Sequence, residues 1–217
     1  MVRRTKADAE LTRHSLLDAA ERLFHAHGVS GTSLAQIAAE AGVTRGAIYW
    51  HFKDKADLFN AMMERVTLPL EGLSHSAAHH PDGHALAHLR QMVSDTLLQM
   101  VRNAQMRRVF DITRNRAEYV DDMHPMRERL ARTRTAFIAH TRMALEQEAQ
   151  RQGRPLLLPP EQAAWVLNTQ VDGIFYLWMM NQQAFDLPTV GLAAFDTVVR
   201  GLGLAQVDMP EADAATR

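Results

Sequence analysis

The run from Thr32 to Lys55, TSLAQIAAEAGVTRGAIYWHFKDK, constrains the fold of this chain more than any other segment. Ser33 followed by Gln36 fits a capping box at the start of a short helix, since each side chain then bonds a free backbone N–H of the first turn. Gly42 marks a sharp turn, because a residue without Cβ enters the left-handed region at little cost. Thr44 is placed to cap a second helix. The spacing therefore predicts a helix-turn-helix.

The second helix carries the residue types that a helix needs to enter the major groove of DNA. Gly46 leaves room for close backbone approach, and Arg45 can donate two hydrogen bonds to a guanine edge. Other polar groups can bind phosphates, which fixes the register without reading the sequence. We assign DNA contacts to Thr32, Ser33, Thr44, Arg45, Gly46, Tyr49, His51 and Lys55. The alternatives are that Ser33 and Thr44 serve only as caps and that Arg45 is a solvated surface charge. Tyr49 can instead lie mostly in the core.

The first part of the chain resembles the DNA-binding domain of the TetR family of bacterial one-component repressors. A first helix is predicted at 9–27, with Leu16, Ala20 and Phe24 on one face and Gly28 at its end. The opening MVRRTK, the run GVTRGAIYWHFKDKADLF and the VDG at 171–173 are similar to the AcrR and TtgR branch, which represses multidrug efflux pumps.

This resemblance implies a mechanism and leaves one alternative. A homodimer would bind a palindromic operator and leave it when a lipophilic small molecule fills a cavity in the C-terminal part. The alternative is a TetR-type regulator of a metabolic or catabolic operon with a specific inducer. In both cases a ligand that binds the DNA-incompetent spacing of the two DNA-reading helices better than the competent spacing would lower operator occupancy.

Charge is distributed unevenly along the chain. Residues 1–55 contain eight Lys or Arg and six Asp or Glu, out of 24 and 25 in the whole chain, so the remainder has 16 against 19. All three lysines lie in the first part. Arg3, Arg4 and Lys6 form a basic arm that can follow phosphates or enter the minor groove, with a mobile terminus as the alternative.

Several classes of function are excluded by what the chain lacks. It has no cysteine, so disulfides, thiolate catalysis and cysteine-based zinc sites are ruled out. The segment GLSHS at 72–76 lacks the closing glycine of a nucleophile elbow, and no Walker loop, dinucleotide fingerprint or HExxH occurs. We therefore expect no enzyme activity and no cofactor. The absence of a long apolar run and of a signal-peptide core predicts a cytoplasmic protein without a membrane partner.

Helical apolar spacing runs through the rest of the chain and predicts an all-α fold. A three-helix DNA-binding domain is predicted at 1–55, a larger ligand-binding and dimerisation domain at 56–210, and a disordered tail at 211–217. Asp54 is placed to cap a helix that connects the two domains. Further helices are predicted at 85–103, 105–116, 125–152, 161–181 and 188–204.

The last two predicted helices carry more apolar surface than one small domain needs. Trp165, Leu177 and Trp178 lie on the first, and small residues such as Gly191 and Gly201 on the second would allow close approach. This pattern favours a dimer interface built as an intermolecular four-helix bundle, with packing inside the monomer as the alternative.

A ligand cavity is indicated by methionines, aromatics and a few polar residues on helices that otherwise look buried. The resemblance places its lining at Met92, Thr96, Phe110, Arg114, Phe137, Asn168, Val171, Asp172, Phe175 and Trp178. Asp172 stands in the apolar stretch TQVDGIFYLW, where a buried carboxylate needs a partner. That partner can be a cationic or hydrogen-bonding ligand, an arginine such as Arg114, or a group at the dimer seam.

A cluster of histidines around the break between the predicted connecting helix and the helix at 85–103 raises the question of a metal site. The residues are His75, His79, His80, His84 and His88. Pro81 and Gly83 interrupt the helix between the two halves of the cluster, and no cysteine or carboxylate completes a ligand set. We therefore assign no metal site to it.

Overall fold

The computed structural model describes residues 6–77, 83–116, 124–182 and 184–205. These residues form helices and no strand, so the all-α fold is confirmed. The helices are α1 (Lys6–His27), α2 (Leu34–Glu40), α3 (Arg45–Ile48), α4 (Lys55–Ala77), α5 (Ala85–Arg102), α6 (Ala104–Asp111), α7 (His124–Gln152), α8 (Pro160–Met180) and α9 (Leu187–Gly201). Arg3 and Arg4 of the predicted arm, and the predicted tail at 211–217, lie outside the described residues.

The helix predicted at 105–116 changes its winding part-way. After α6 the chain continues as a π-helical turn at Ile112–Arg116. The Thr113 hydroxyl donates to the Val109 carbonyl at 2.7 Å, a bond that competes with the regular backbone pattern. Sequence spacing alone does not distinguish the two windings, because both keep the apolar residues on one side.

The chain divides into two compact units that do not follow a single cut in the sequence. The first contains the described residues of Met1–Leu68 and Ala104–Ala131, and the second those of Pro69–Asn103 and Arg132–Arg217. Helices α4 and α7 each have residues in both units. The predicted division at residue 55 follows the end of the helix-turn-helix rather than this grouping.

The core of the first unit is built around the apolar face of α1. Leu16, Leu17 and Phe24 are fully buried, as is Phe59 on α4. The rings of Phe24 and Phe59 lie 5.9 Å apart in a tilted arrangement. Truncating a buried phenylalanine to alanine typically costs about 3–5 kcal/mol, so this pair is a major source of stability for the unit.

A buried carboxylate joins α1 to α6 within the same unit. Glu21 is only 3% exposed, and its two oxygens accept hydrogen bonds from Arg108 Nε at 2.6 Å and Gln105 Nε2 at 2.9 Å. A buried carboxylate is costly unless such donors surround it. The position of α6 against α1 is therefore specified by polar as well as apolar contacts.

In the second unit α9 packs against both α5 and α8. Gly191 on α9 lies so close to α5 that a Cβ at this position would meet Leu97 Cδ1 at 2.8 Å. Arg90 on α5 binds Asp196 on α9 through two hydrogen bonds of 2.7 and 2.8 Å. This bidentate pair raises the pKa of the Arg90 guanidinium, because the bonds favour its charged form.

Candidate functional site

The first helix of the predicted DNA-binding motif begins and ends as its residues indicate. The Ser33 hydroxyl accepts from the Gln36 N–H, and the Gln36 side chain accepts from the Ser33 N–H at 2.8 Å, which completes the capping box. Gly42 has φ 71°, in the left-handed region, and the next N–H, of Val43, donates to Ala38 O at 2.9 Å. The turn between the two helices is thus held by local hydrogen bonds.

The second helix, α3, is short and anchored at both ends. The Thr44 hydroxyl caps it by accepting from the Ala47 N–H at 3.3 Å. Ile48 is fully buried and Phe52 is 2% exposed, so one side of the segment is fixed to the core. The guanidinium of Arg13 on α1 lies 5.3 Å from the centre of the Phe52 ring and adds a cation–π contact.

The opposite side of α3 presents a continuous exposed face to solvent. We define this face as Arg45, Gly46, Tyr49 and Trp50 and name it the DNA-reading face, after the role that the sequence predicts for this segment. Tyr49 is 51% exposed and Trp50 is 90% exposed, which is unusual for side chains with this much apolar surface. Among the described residues, Arg45 forms no hydrogen bond or ion pair. Its donors are therefore available to a partner.

Gly46 is not needed by the packing of the protein itself. A Cβ added at this position would meet no atom within 4 Å, and its φ does not lie in the left-handed region. A glycine inside a helix is less favourable than alanine by about 1 kcal/mol. The residue thus weakens α3 without any structural benefit in the free protein, which agrees with a role in clearance for DNA.

Two of the predicted DNA contacts already have partners inside the protein. Thr32 is 2% exposed, and its hydroxyl donates to Gly28 O at 2.8 Å. The Lys55 ammonium donates to Val29 O at 2.8 Å and to Thr32 O at 3.1 Å. These bonds hold the loop between α1 and α2, so both side chains have a structural role beside any contact with phosphate. Sequence spacing did not reveal it, because the acceptors of Lys55 lie in a distant part of the chain.

The remaining predicted residues of this motif are placed as caps or edges. Ser33 and Thr44 are exposed and serve as N-caps. The Ser33 hydroxyl also donates to Gln36 Oε1 at 2.8 Å, whereas the Thr44 hydroxyl keeps its proton available for a partner. His51 is half-buried, with its ring 6.3 Å from that of Phe52. Trp50 is the residue that our sequence reasoning missed. Its position two residues after the buried Ile48 places it on the outer side of a helix, and that signal was available from spacing alone.

The candidate ligand-binding residues are distributed over both units. Phe110 and Arg114 belong to the first unit and the other eight to the second. Met92 and Trp178 are buried, at 7% and 5% exposure. The half-buried members are Thr96, Phe110, Phe137, Asn168, Val171, Asp172 and Phe175, and Arg114 is exposed.

The expectation that Asp172 is buried is wrong. Its side chain is 51% exposed, and the closest guanidinium nitrogen is that of Arg134 on α7, at 3.9 Å. Asp172 lies on the same side of α8 as the exposed Thr169 and Tyr176, so its carboxylate is solvated. An exposed pair of this length contributes little to stability. Its role in ligand binding stays a prediction.

The outer side of α8 exposes several large apolar side chains beside Thr169 and Asp172. We define this α8 outer face as the residues Trp165, Val166, Tyr176, Leu177 and Met180, which are between 40% and 65% exposed. Val190 on α9 adds to it at 39%. A set of large apolar side chains on one side of a helix marks a surface that another protein surface can cover.

Comparison with known proteins agrees with the geometry of the N-terminal motif. A family model described as "Bacterial regulatory proteins, tetR family" matches residues 16–62. A second, described as "MAATS-type transcriptional repressor, C-terminal region", matches residues 84–203, more than half of the chain. The chain belongs to the TetR family of transcriptional regulators.

Individual relatives of this TetR-family protein match over most of their length. The HTH-type transcriptional regulator TtgR of Pseudomonas putida is 35% identical over 189 residues, covering 86% of this chain and 89% of that protein. The crystal structure of NalD, the secondary repressor of the MexAB-OprM multidrug efflux pump in Pseudomonas aeruginosa, is 34% identical with a TM-score of 0.80, covering 91% and 98%. A complex of SmeT with triclosan is 28% identical with a TM-score of 0.77, covering 93% and 98%.

Family membership decides the general class of activity. This TetR-family protein is a DNA-binding transcriptional repressor and not an enzyme. No helix in the described part of the chain is long and apolar enough to cross a membrane. The described ranges also contain no group of three or more His, Asp or Glu that could hold a metal ion. His79 and His80 of the histidine cluster lie outside those ranges.

Proposed function

We propose that this TetR-family protein is a homodimeric repressor that binds a palindromic operator and is released by a lipophilic small molecule. We further propose that the operon it controls encodes a multidrug efflux pump. NalD and SmeT are each named as the repressor of such a pump, and both cover most of this chain. The observation that carries the proposal is the DNA-reading face, which stands exposed on a capped and anchored α3.

The residues of α3 divide by the chemistry they offer to DNA. Arg45 reads a guanine edge through its two parallel donors, and Gly46 admits the backbone into the major groove. Ser33, Thr44, Tyr49 and His51 contact phosphates and set the register. Thr32 and Lys55 act chiefly by holding the loop before α2, and Lys55 adds positive charge. We propose residues 1–55 as the DNA-binding domain and 56–210 as the ligand-binding and dimerisation domain.

The α8 outer face forms the contact between two copies of the chain. Its exposed aromatic and aliphatic side chains carry no charge, which is the composition of the buried centre of a protein interface. A twofold dimer presents two copies of α3 to two half-sites, and this arrangement supplies the specificity that one short helix lacks.

Release from DNA follows from a difference in ligand affinity between two states of the dimer. A ligand that binds better when the two DNA-reading helices are wrongly spaced shifts the population away from the operator-bound state. SmeT forms a complex with triclosan, a chlorinated phenol. Six of the ten candidate ligand residues of this chain have apolar or aromatic side chains. We therefore propose lipophilic aromatic compounds as inducers, acting in the cytoplasm.

The proposal is tested by binding the purified protein to the DNA upstream of its own gene, with and without triclosan and a panel of lipophilic antibiotics, dyes and phenols. We expect tight binding that salt weakens and that some compounds abolish. Tight binding that no drug disturbs, but that one metabolite releases, would instead identify a regulator of a metabolic operon. A failure to prefer this DNA over random DNA would overturn the repressor assignment.

A further inference from the structure

Gln170 on α8 has a buried side-chain amide without a hydrogen-bond partner. Both Nε2 and Oε1 are inaccessible to solvent, and neither has a donor or acceptor among the described residues. Leaving a buried amide unsatisfied costs about 1–3 kcal/mol per group. A residue that carries this cost at two atoms is expected to gain something in another state of the protein.

The position of Gln170 along α8 places it on the inner side of the helix. It follows Ala163 and Leu167 by two and one helical turns, and both are almost fully buried. Trp178 lies two turns further on and is 5% exposed. An apolar residue would fit this side of α8 best, so the amide is an exception within an otherwise apolar stripe.

Neighbouring polar groups on α7 and α8 satisfy one another and leave Gln170 out. Asn168 Nδ2 donates to Thr141 Oγ1 at 3.1 Å and to Ala164 O at 2.7 Å. The Thr141 hydroxyl in turn donates to Phe137 O at 3.0 Å. The predicted ligand residue Asn168 is therefore already committed inside the protein, whereas Gln170, two residues further on and on another side of α8, holds an uncommitted donor and acceptor.

We propose that Gln170 is the polar anchor of the ligand-binding cavity, a role that rests on the proposed function. Its planar amide offers one acceptor and two donors side by side, so it binds a group that both donates and accepts, such as a lactam or a phenol. The apolar residues on the same side of α8 bind the lipophilic body of that ligand. Gln170, which is absent from the predicted set, thereby selects among lipophilic compounds by one polar group.

The experiment compares probes that differ only in the hydrogen they can donate. Triclosan is paired with its methyl ether, and 2-quinolone with N-methyl-2-quinolone, and each Kd is measured by calorimetry without DNA. Wild-type protein should bind the hydrogen-donating member of at least one pair about tenfold more tightly, since one to two hydrogen bonds distinguish the members. Gln170→Leu should abolish this preference while binding the methylated member as well as the wild type does.

Gln162→Leu is the matched control, because Gln162 lies on the same helix but is exposed. It should keep the wild-type preference. Thermal unfolding checks the fold: the Tm of Gln170→Leu should be no lower than that of the wild type, since the change removes unsatisfied polar atoms from the interior. A clear fall in Tm would overturn the proposal, because it would mean that the amide stabilises the ligand-free protein.

Operator release, measured in parallel, distinguishes a failure of the Gln170 anchor from a failure of ligand-controlled repression. If Gln170→Leu keeps the wild-type preference while the same compounds release wild-type protein from DNA, the repressor stands and the anchor is overturned. If the wild type binds neither pair, the assigned ligand class is overturned. If calorimetry gives the expected pattern but no compound affects DNA binding, the anchor stands and ligand-controlled repression fails.

Discussion

The outer sides of α3 and α8 both expose aromatic side chains, but the residues around them differ in kind. Tyr49 and Trp50, directly after the last residue of α3, lie near Arg45, Gly46 and the capping hydroxyl of Thr44. On α8, Trp165, Tyr176, Leu177 and Met180 include no charged residue. Exposed aromatics alone therefore do not identify a partner. The neighbouring residues do, since hydrogen-bond donors and room for close approach suit a nucleic acid, whereas a surface made mainly of apolar side chains suits another protein.

The two sides also differ in how firmly they are held. Helix α3 has only four residues, yet two caps and two buried anchors fix it. Helix α8 has 21 residues and packs against α9. The short helix is defined by local chemistry and the long one by its neighbours. Substitutions on the two faces should accordingly separate DNA reading from assembly.

The largest effect is expected from a charge placed in the α8 outer face. Leu177→Glu buries an unpaired carboxylate in the proposed dimer contact, which should raise the dimer dissociation constant on the order of a hundredfold or more. Sedimentation should then find monomers, and binding to a palindromic operator should fall with the dimer.

Leu157→Glu is the control for this substitution. Leu157 is 71% exposed in the loop before α8, outside the α8 outer face. It should leave the dimer and operator binding unchanged. Equal effects of the two substitutions, or a stable Leu177→Glu dimer, would show that α8 does not form the interface.

The next largest effect is expected at the DNA-reading face. Arg45→Ala should weaken binding to the operator by about 1–3 kcal/mol while changing the affinity for random DNA much less, because it removes a base contact. Fluorescence anisotropy with both DNAs measures this. Arg154→Ala, an exposed arginine of the second unit, removes the same charge elsewhere. An equal loss on both DNAs would reassign Arg45 to the phosphate backbone.

At Gly46 we expect two smaller effects of opposite sign, one on stability and one on operator affinity. Gly46→Ala should hold or raise the Tm, because alanine favours a helix by up to about 1 kcal/mol and the new methyl group meets no protein atom. Operator affinity should nevertheless fall about tenfold if the backbone approaches the groove at this point. Gly201→Ala on α9, where an added Cβ also meets nothing, should affect Tm alone. Unchanged operator affinity in Gly46→Ala would remove Gly46 from the interface.

The smallest effect concerns pH and the start of α9. Hydrogen bonds from the Thr189 side chain and its backbone N–H lower the pKa of Asp186. A lowered pKa in the folded state contributes stability above the usual aspartate range, and this contribution is lost as the pH falls through the folded value. Asp186→Asn keeps the cap oxygen but not the charge. Its Tm should be slightly below the wild type near pH 7 and equal to it near pH 2. A constant difference across this range would mean that the charge is irrelevant.

Features governed by local chemistry could be predicted from the sequence. The caps at Ser33 and Thr44 and the turn at Gly42 depend on groups within five residues of one another, and the structure has each of them. Asp54 likewise caps α4 by accepting from the Asp57 N–H at 2.8 Å. Such short-range bonds need no knowledge of the fold.

Features governed by distant contacts could not be predicted. The expected burial of Asp172 was wrong because large apolar residues occur all around α8, so their spacing does not indicate which side of the helix faces inward. For the same reason the sequence did not indicate that the amide of Gln170 is buried, since its burial depends on how α8 is rotated about its axis. The hydrogen bonds from Lys55 to Val29 and from Arg108 to Glu21 join residues that are far apart in the chain. Only the folded structure brings these groups together.

The Lys55 ammonium holds the loop before α2 by two hydrogen bonds, so a reagent that modifies lysine would change this part of the protein. This matters for how the protein can be attached to a surface or labelled. Its three lysines are Lys6, Lys53 and Lys55, all in the part that reads DNA. Amine-coupling reagents would therefore modify the operator-binding end and leave the ligand-binding end without side-chain attachment points. A biosensor built on this repressor should instead be tethered through a cysteine introduced into α9, since the chain has no other thiol.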